Sequence, residues 1–99
     1  MELISFLNRK YKENEINKNI TVVGLGYVGS SMAVLLSQYN SVVAYDINSS
    51  KVTGLNGGKS PIDDELIQFY LDSKELSLSA TSDVELAYRD CHIVIIATP

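Results

Sequence analysis

The sequence predicts an α/β fold, a parallel β-sheet with flanking helices that stops after its fourth strand. Two observations carry this expectation. Short β-branched runs alternate with stretches of helical apolar spacing, a pattern that means parallel strands joined by right-handed crossovers. The first of those runs, Ile20-Thr21-Val22-Val23, leads directly into a glycine cluster that opens a helix.

Residues 1–18 differ in character from the rest. Leu3, Phe6 and Leu7 fall at helical spacing, and a polar, charged run extends from Arg9 to Asn19. This reads as a short amphipathic helix and a flexible leader, with a docking helix for a partner subunit as the second reading. The domain proper is expected over 19–99, with order beginning at Ile20. Met32-Ala33-Val34-Leu35-Leu36 supplies the apolar face of a helix ending near Tyr39 and Asn40. A second strand, Val42-Val43-Ala44-Tyr45, runs into Asp46. Ser49 and Ser50 are the expected caps of a short helix carrying Val52 and Leu55, stopped by Gly57-Gly58. Ser60 and Pro61 suit the cap and first position of the next helix, with Leu66, Phe69, Tyr70 and Leu71 facing inward. Leu76 to Ala80 is a weaker strand, and Ser82 or Asp83 caps a helical turn through Ala87. His92-Ile93-Val94-Ile95-Ile96-Ala97 is the most apolar strand in the chain. A buried parallel strand normally leads into a covering helix, so the expectation is a domain truncated after its fourth strand.

Hydrophobic residues make up 45% of the chain and charged residues 20%, a globular composition. The net charge of −4 argues against nucleic acid, whose phosphates are bound by clustered Lys and Arg. No apolar run approaches the roughly 18 residues of a membrane span, and the N-terminus does not read as a secretion signal. A single cysteine, Cys91, excludes an internal disulfide and a multi-cysteine metal site. The expected location is the cytoplasm.

The glycine cluster Gly24-Leu25-Gly26-Tyr27-Val28-Gly29 fits G-x-G-x-x-G between a strand and a helix, the context that makes the pattern a dinucleotide fingerprint. Gly24 permits the turn, Gly26 lets a pyrophosphate approach the backbone, and Gly29 lets the helix pack closely. The free N–H groups of the first helical turn then face the phosphates. Asp46 stands 22 residues after Gly24, where an acid receives the ribose hydroxyls and repels a 2′-phosphate. No arginine follows Asp46 directly, which favours NAD over NADP. Lys51 is the nearby cation, either beside the cofactor or simply solvated. The domain expected is therefore of Rossmann type.

From Ile20 to Pro99 the chain resembles the N-terminal segment of the UDP-glucose/GDP-mannose dehydrogenase family, and within it the UDP-glucose 6-dehydrogenases. The resemblance rests on the Tyr27-Val28 pair, on Gly58-Lys59-Ser60-Pro61-Ile62-Asp63-Asp64, and on Ile95-Ile96-Ala97-Thr98-Pro99. It implies oxidation of the C6 alcohol of UDP-glucose to a carboxylate with two NAD, through a cysteine nucleophile in a later domain. The implied cofactor contacts are Gly24, Leu25, Gly26, Tyr27, Val28, Gly29, Asp46, Lys51 and Thr98. No catalytic residue is implied here, so the chain alone is expected to be inactive, meeting a nucleotide sugar only in a full-length parent. Cys91 is expected to be structural rather than a nucleophile, and His92 a residue of strand entry rather than a base. Ser30 departs from the leucine common in relatives. The alternatives are a dehydrogenase of GDP-mannose or of a UDP-N-acetylhexosamine, and a non-catalytic NAD-sensing regulatory module. An uncovered strand at Ile93 to Ile96 predicts a homo-oligomer.

Overall fold

The structure, a computed structural model, describes residues 18–98. The leader reading thus lies outside the described residues except for Lys18, as does Pro99. Four strands, β1 (Asn19–Val23), β2 (Ser41–Tyr45), β3 (Leu78–Thr81) and β4 (Ile93–Ile96), form one sheet. The helices are α1 (Tyr27–Leu36), α2 (Ser49–Asn56), α3 (Glu65–Ser73) and α4 (Val84–Tyr88). The sheet order is β3-β2-β1-β4 and every pairing is parallel.

That order decides which face each helix covers. The chain first moves outward from β1 to β2 to β3, then returns across the sheet to β4. Crossovers of one hand put helices on one face during the outward steps and on the other during the return. The register agrees, aligning Ile20 with Val42 and Ile93, and Val22 with Ala44 and Ile95. Of these, Ile20, Val22, Val42 and Ala44 cluster with Ala33 and Leu36 of α1 and Leu55 of α2, and Ile95 of β4 and Leu71 of α3 pack against the same cluster. On the opposite face, the buried Thr21 hydroxyl donates to the Ala87 carbonyl of α4.

Two helices start on different residues from those the sequence favours. Asn48, not Ser49 or Ser50, caps α2, its Oδ1 accepting from the N–H groups of Ser50 and Lys51. Asp64, not Ser60, caps α3, accepting from Leu66 and Ile67 N–H. Ser60 and Pro61 belong to the preceding loop, where the Ser60 hydroxyl donates to the Ile62 carbonyl at 2.6 Å. Ile67 is the buried residue of α3, while Phe69, expected to face inward, is 55% exposed. Asp83 caps α4, one of the two residues expected there.

The two edges of the sheet are finished differently. Along β3 the Asn56 amide accepts from Ala80 N–H at 2.8 Å and donates to Ala80 C=O at 3.0 Å, occupying the main-chain groups that a further strand would take. No comparable side chain seals β4 among the described residues. Although β4 is the most apolar strand, Ile93, Val94 and Ile96 stay exposed. Its composition suits burial on both faces, but among the described residues it has a neighbouring strand on one side only.

Candidate dinucleotide site

The sheet order reverses between β1 and β4, and in open α/β sheets the crevice at that point, beyond the carboxyl ends of the strands, is where ligands bind. A cavity of about 590 Å³ opens there, lined by Gly24, Leu25, Gly26, Tyr27, Val28, Asp46, Lys51, Ala97 and Thr98. The structure thus brings together every residue expected to meet the cofactor except Gly29, which lies behind the loop. Ala97 joins them, and only its position directly before Thr98 signalled it in the sequence.

Each glycine has a separate physical reason. Gly24 has φ +102°, which L side chains rarely adopt, and a Cβ there would stand 2.9 Å from the Thr98 methyl. A Cβ on Gly29 would fall 1.6 Å from the Gly24 carbonyl oxygen. Gly29 therefore closes the loop on itself, and an added Cβ would also stand 3.4 Å from the methyl of Ala97, just after β4, a secondary constraint. Gly26 differs from both: its φ of −84° suits any residue, and a Cβ would meet nothing within 4 Å. The fold does not need a glycine there; the space it leaves free is at the mouth of α1.

That mouth is also electrostatically incomplete. The other three helices are capped by Asn48, Asp64 and Asp83, whereas α1 begins at Gly26 with no side-chain cap and no acid in its first turn. Its leading N–H groups and the positive end of its dipole face the cavity, the arrangement that receives an anion.

Across the cavity, Asp46 follows β2 and its carboxylate is fixed at both oxygens. Oδ2 accepts from Leu25 N–H at 2.8 Å and Oδ1 from Asn48 N–H at 2.8 Å. A carboxylate has about four acceptor sites, so a diol still finds two vacant ones. Lys51, on the first turn of α2, extends its ammonium to the Leu25 carbonyl at 3.2 Å. The Leu25 side chain is fully buried in the core, which anchors the loop from beneath.

The segment Lys59 to Gln68 forms a second cleft of about 430 Å³ beside the first. The Tyr27 hydroxyl lies 3.4 Å from the Asp63 carbonyl, so the glycine cluster and the Ser60-Pro61-Ile62-Asp63 stretch are neighbours in space. Cys91 and His92 lie at the opposite, amino end of the sheet, where His92 Nδ1 accepts from Asn19 N–H at 3.0 Å. Among the described residues no group of three His, Cys, Asp or Glu is placed to hold a metal ion, and no helix is long and apolar enough to cross a membrane.

Comparison with known proteins agrees with this geometry. Residues 18–99 match the family model described as the UDP-glucose/GDP-mannose dehydrogenase family, NAD binding domain. A UDP-glucose 6-dehydrogenase of Streptococcus pneumoniae is 49% identical over 80 residues, covering 81% of this chain and 20% of its own length. One from Campylobacter jejuni is 42% identical over 82 residues, covering 81% and 21%. The crystal structure of a ternary complex of a GDP-mannose dehydrogenase from Pseudomonas aeruginosa superimposes with a TM-score of 0.71 at 32% identity, covering 81% of this chain and 19% of that one. The chain spans about a fifth of the length of the curated relatives it matches.

Proposed function

Because this chain belongs to the UDP-glucose/GDP-mannose dehydrogenase family, by the match of residues 18–99 to its NAD-binding domain, we propose that it holds NAD for the oxidation of UDP-glucose to UDP-glucuronate. The observation that carries the reading is the uncapped mouth of α1 opposite a fixed Asp46 carboxylate. The residues fit the cofactor on their own terms, since the open space at Gly26 is room that the fold itself leaves unused.

In this reading the N–H groups at Tyr27 and Val28 receive the diphosphate, with Gly26 allowing close approach. Asp46 takes the adenosine ribose hydroxyls on its remaining lone pairs and excludes a 2′-phosphate by charge. Lys51 and Thr98 complete the walls, and Gly24 and Gly29 set the shape of the loop. NAD supplies the hydride acceptor. Substrate binding and the covalent step belong to the remaining length of the relatives, about four fifths, so no catalytic role falls on Cys91 or His92. Cys91 as a free thiol suits a reducing cytoplasm.

The UDP-glucose reading is supported over GDP-mannose by identities of 49% and 42% to UDP-glucose 6-dehydrogenases, against 38% and 39% to GDP-mannose 6-dehydrogenases. Family membership likewise favours an enzyme over a non-catalytic NAD-sensing module. The test is a calorimetric titration of the chain, and of a parent continuing beyond Pro99, with NAD and NADP. NAD is expected to bind in preference, and Asp46→Asn to weaken it by roughly tenfold or more, the loss of a charge-assisted pair of hydrogen bonds. The parent, and not the 99-residue chain, should reduce NAD with UDP-glucose in preference to GDP-mannose or a UDP-N-acetylhexosamine. Equal binding of NAD and NADP, or indifference to Asp46→Asn, refutes the site.

A further inference from the structure

Four residues around the cavity form a closed circuit of hydrogen bonds. Leu25 N–H donates to Asp46 Oδ2 at 2.8 Å, and Asp46 Oδ1 accepts from Asn48 N–H at 2.8 Å. Asn48 Oδ1 accepts from Lys51 N–H at 3.2 Å, and the Lys51 ammonium donates to the Leu25 carbonyl at 3.2 Å. The glycine loop, the acid after β2 and the first turn of α2 are thus one connected unit.

We propose that Asn48 is a positioning residue for the adenosine end of the site, acting through Lys51 and Asp46 without touching the cofactor. Asn48 is exposed and is absent from the cavity lining. Its side chain nevertheless fixes the first turn of α2, the turn from which Lys51 reaches back to the loop. Lysine loses about as much rotamer freedom as any side chain when it is held in one place, so its contact with Leu25 depends on a firm origin. Leu25 is gripped at both main-chain atoms, N–H by Asp46 and C=O by Lys51, which fixes the peptide planes on either side of its Cα, the second of which leads into Gly26. A frayed first turn in α2 releases the ammonium, leaves the Leu25–Gly26 plane without that hold while Asp46 keeps only the preceding one, and weakens a site whose advantage is preorganisation.

This inference rests on the NAD reading for its binding consequence, but its geometric core is testable without any cofactor. The measurement is the backbone amide spectrum of the ligand-free chain, labelled with nitrogen-15, for Asn48→Ala, Asn48→Ser, Lys51→Met and the Asn48→Ala/Lys51→Met double variant. A hydrogen bond to the Leu25 carbonyl polarises the Gly26 amide, so Lys51→Met and Asn48→Ala should move the Gly26 signal in the same direction. The double variant should move it no further than Lys51→Met alone, the non-additivity of residues in one network. Serine, also a good cap, should restore the parent spectrum. NAD affinity of Asn48→Ala should fall about tenfold, the worth of one charge-assisted hydrogen bond, with recovery in Asn48→Ser. If Asn48→Ala changes only α2 signals and leaves Gly26 and NAD affinity unmoved, Asn48 is a helix cap and nothing more, and the inference falls. If Gly26 responds as described while the parent binds no NAD, the circuit stands and the NAD reading falls instead.

Discussion

Gly26 and Gly29 stand three residues apart in one motif, yet substitution by alanine should have opposite consequences. In Gly29→Ala the new Cβ falls 1.6 Å from the Gly24 carbonyl oxygen, a backbone atom that cannot rotate away. The loop must move by more than an ångström. Such movement disturbs the Gly24 N–H bond to the Tyr45 carbonyl at 2.8 Å and the Leu25 N–H bond to Asp46 at 2.8 Å. Two weakened hydrogen bonds at about 1 kcal/mol each, with about 1–3 kcal/mol for overpacking, give a loss of roughly 3–5 kcal/mol. A domain of this size has roughly 5–10 kcal/mol in total, so about half its stability is at stake. In Gly26→Ala the Cβ enters open space at an ordinary φ of −84°. The lower entropy of the unfolded chain and the poorer N-cap nearly offset each other, leaving stability within about 1 kcal/mol of the parent. NAD affinity should nevertheless fall at least tenfold, because the methyl group occupies the approach of the diphosphate. Urea unfolding followed by far-ultraviolet circular dichroism, suited to a chain without tryptophan, reads the first quantity, and calorimetric titration reads the second. A stable Gly29→Ala, or a Gly26→Ala that binds NAD like the parent, refutes the division of labour.

Ser30 is buried with its hydroxyl unpartnered. Ser30→Ala should therefore raise stability by about 1–2 kcal/mol, from relief of the unsatisfied group and better helix propensity, visible as a higher urea midpoint. Asn56→Ala should cost about 1–2 kcal/mol and make the β3 edge adhesive, detected as concentration-dependent sedimentation beyond that of the parent. The parent itself should self-associate through β4, where Ile93, Val94 and Ile96 are exposed. Ile96→Lys should return it to a monomer in sedimentation, and a parent that is already monomeric contradicts that view of the edge.

The glycine cluster, the strand before it and Asp46 were legible because their signals are local. A β-branched run, fixed glycine spacing and an acid at a strand end leave little for tertiary context to decide. The caps were not legible in the same way. Asn48, Ser49 and Ser50 are all good N-cap residues, and the choice among them depends on where α2 must begin to bring Leu55 onto the sheet. Similarly, Ser60-Pro61 carries a strong helix-start signal, but the Ser60 hydroxyl is engaged within its own loop and Asp64 starts the helix. The inward face of α3 was not legible either: Ile67 is buried there and Phe69 is exposed. The uncovered edge at Ile93 to Ile96 was among the expectations, whereas the neighbour of β4, which is β1, emerges only from the sheet order, because apolar composition does not say which strand lies alongside. The circuit through Asn48 was equally hidden, since its partners span positions 25 to 51 and converge only once the sheet is assembled.

Among the described residues, three of the four helices complete their amino ends with residues of their own, while α1 leaves that task to whatever enters the cavity. The folded chain is thereby linked to its visitor by mass action: at a hundredfold excess over the dissociation constant, an occupant adds about 2.7 kcal/mol to the folded state. Under the NAD reading, the urea midpoint of the chain should therefore climb as NAD is added, and a midpoint indifferent to NAD would count against it.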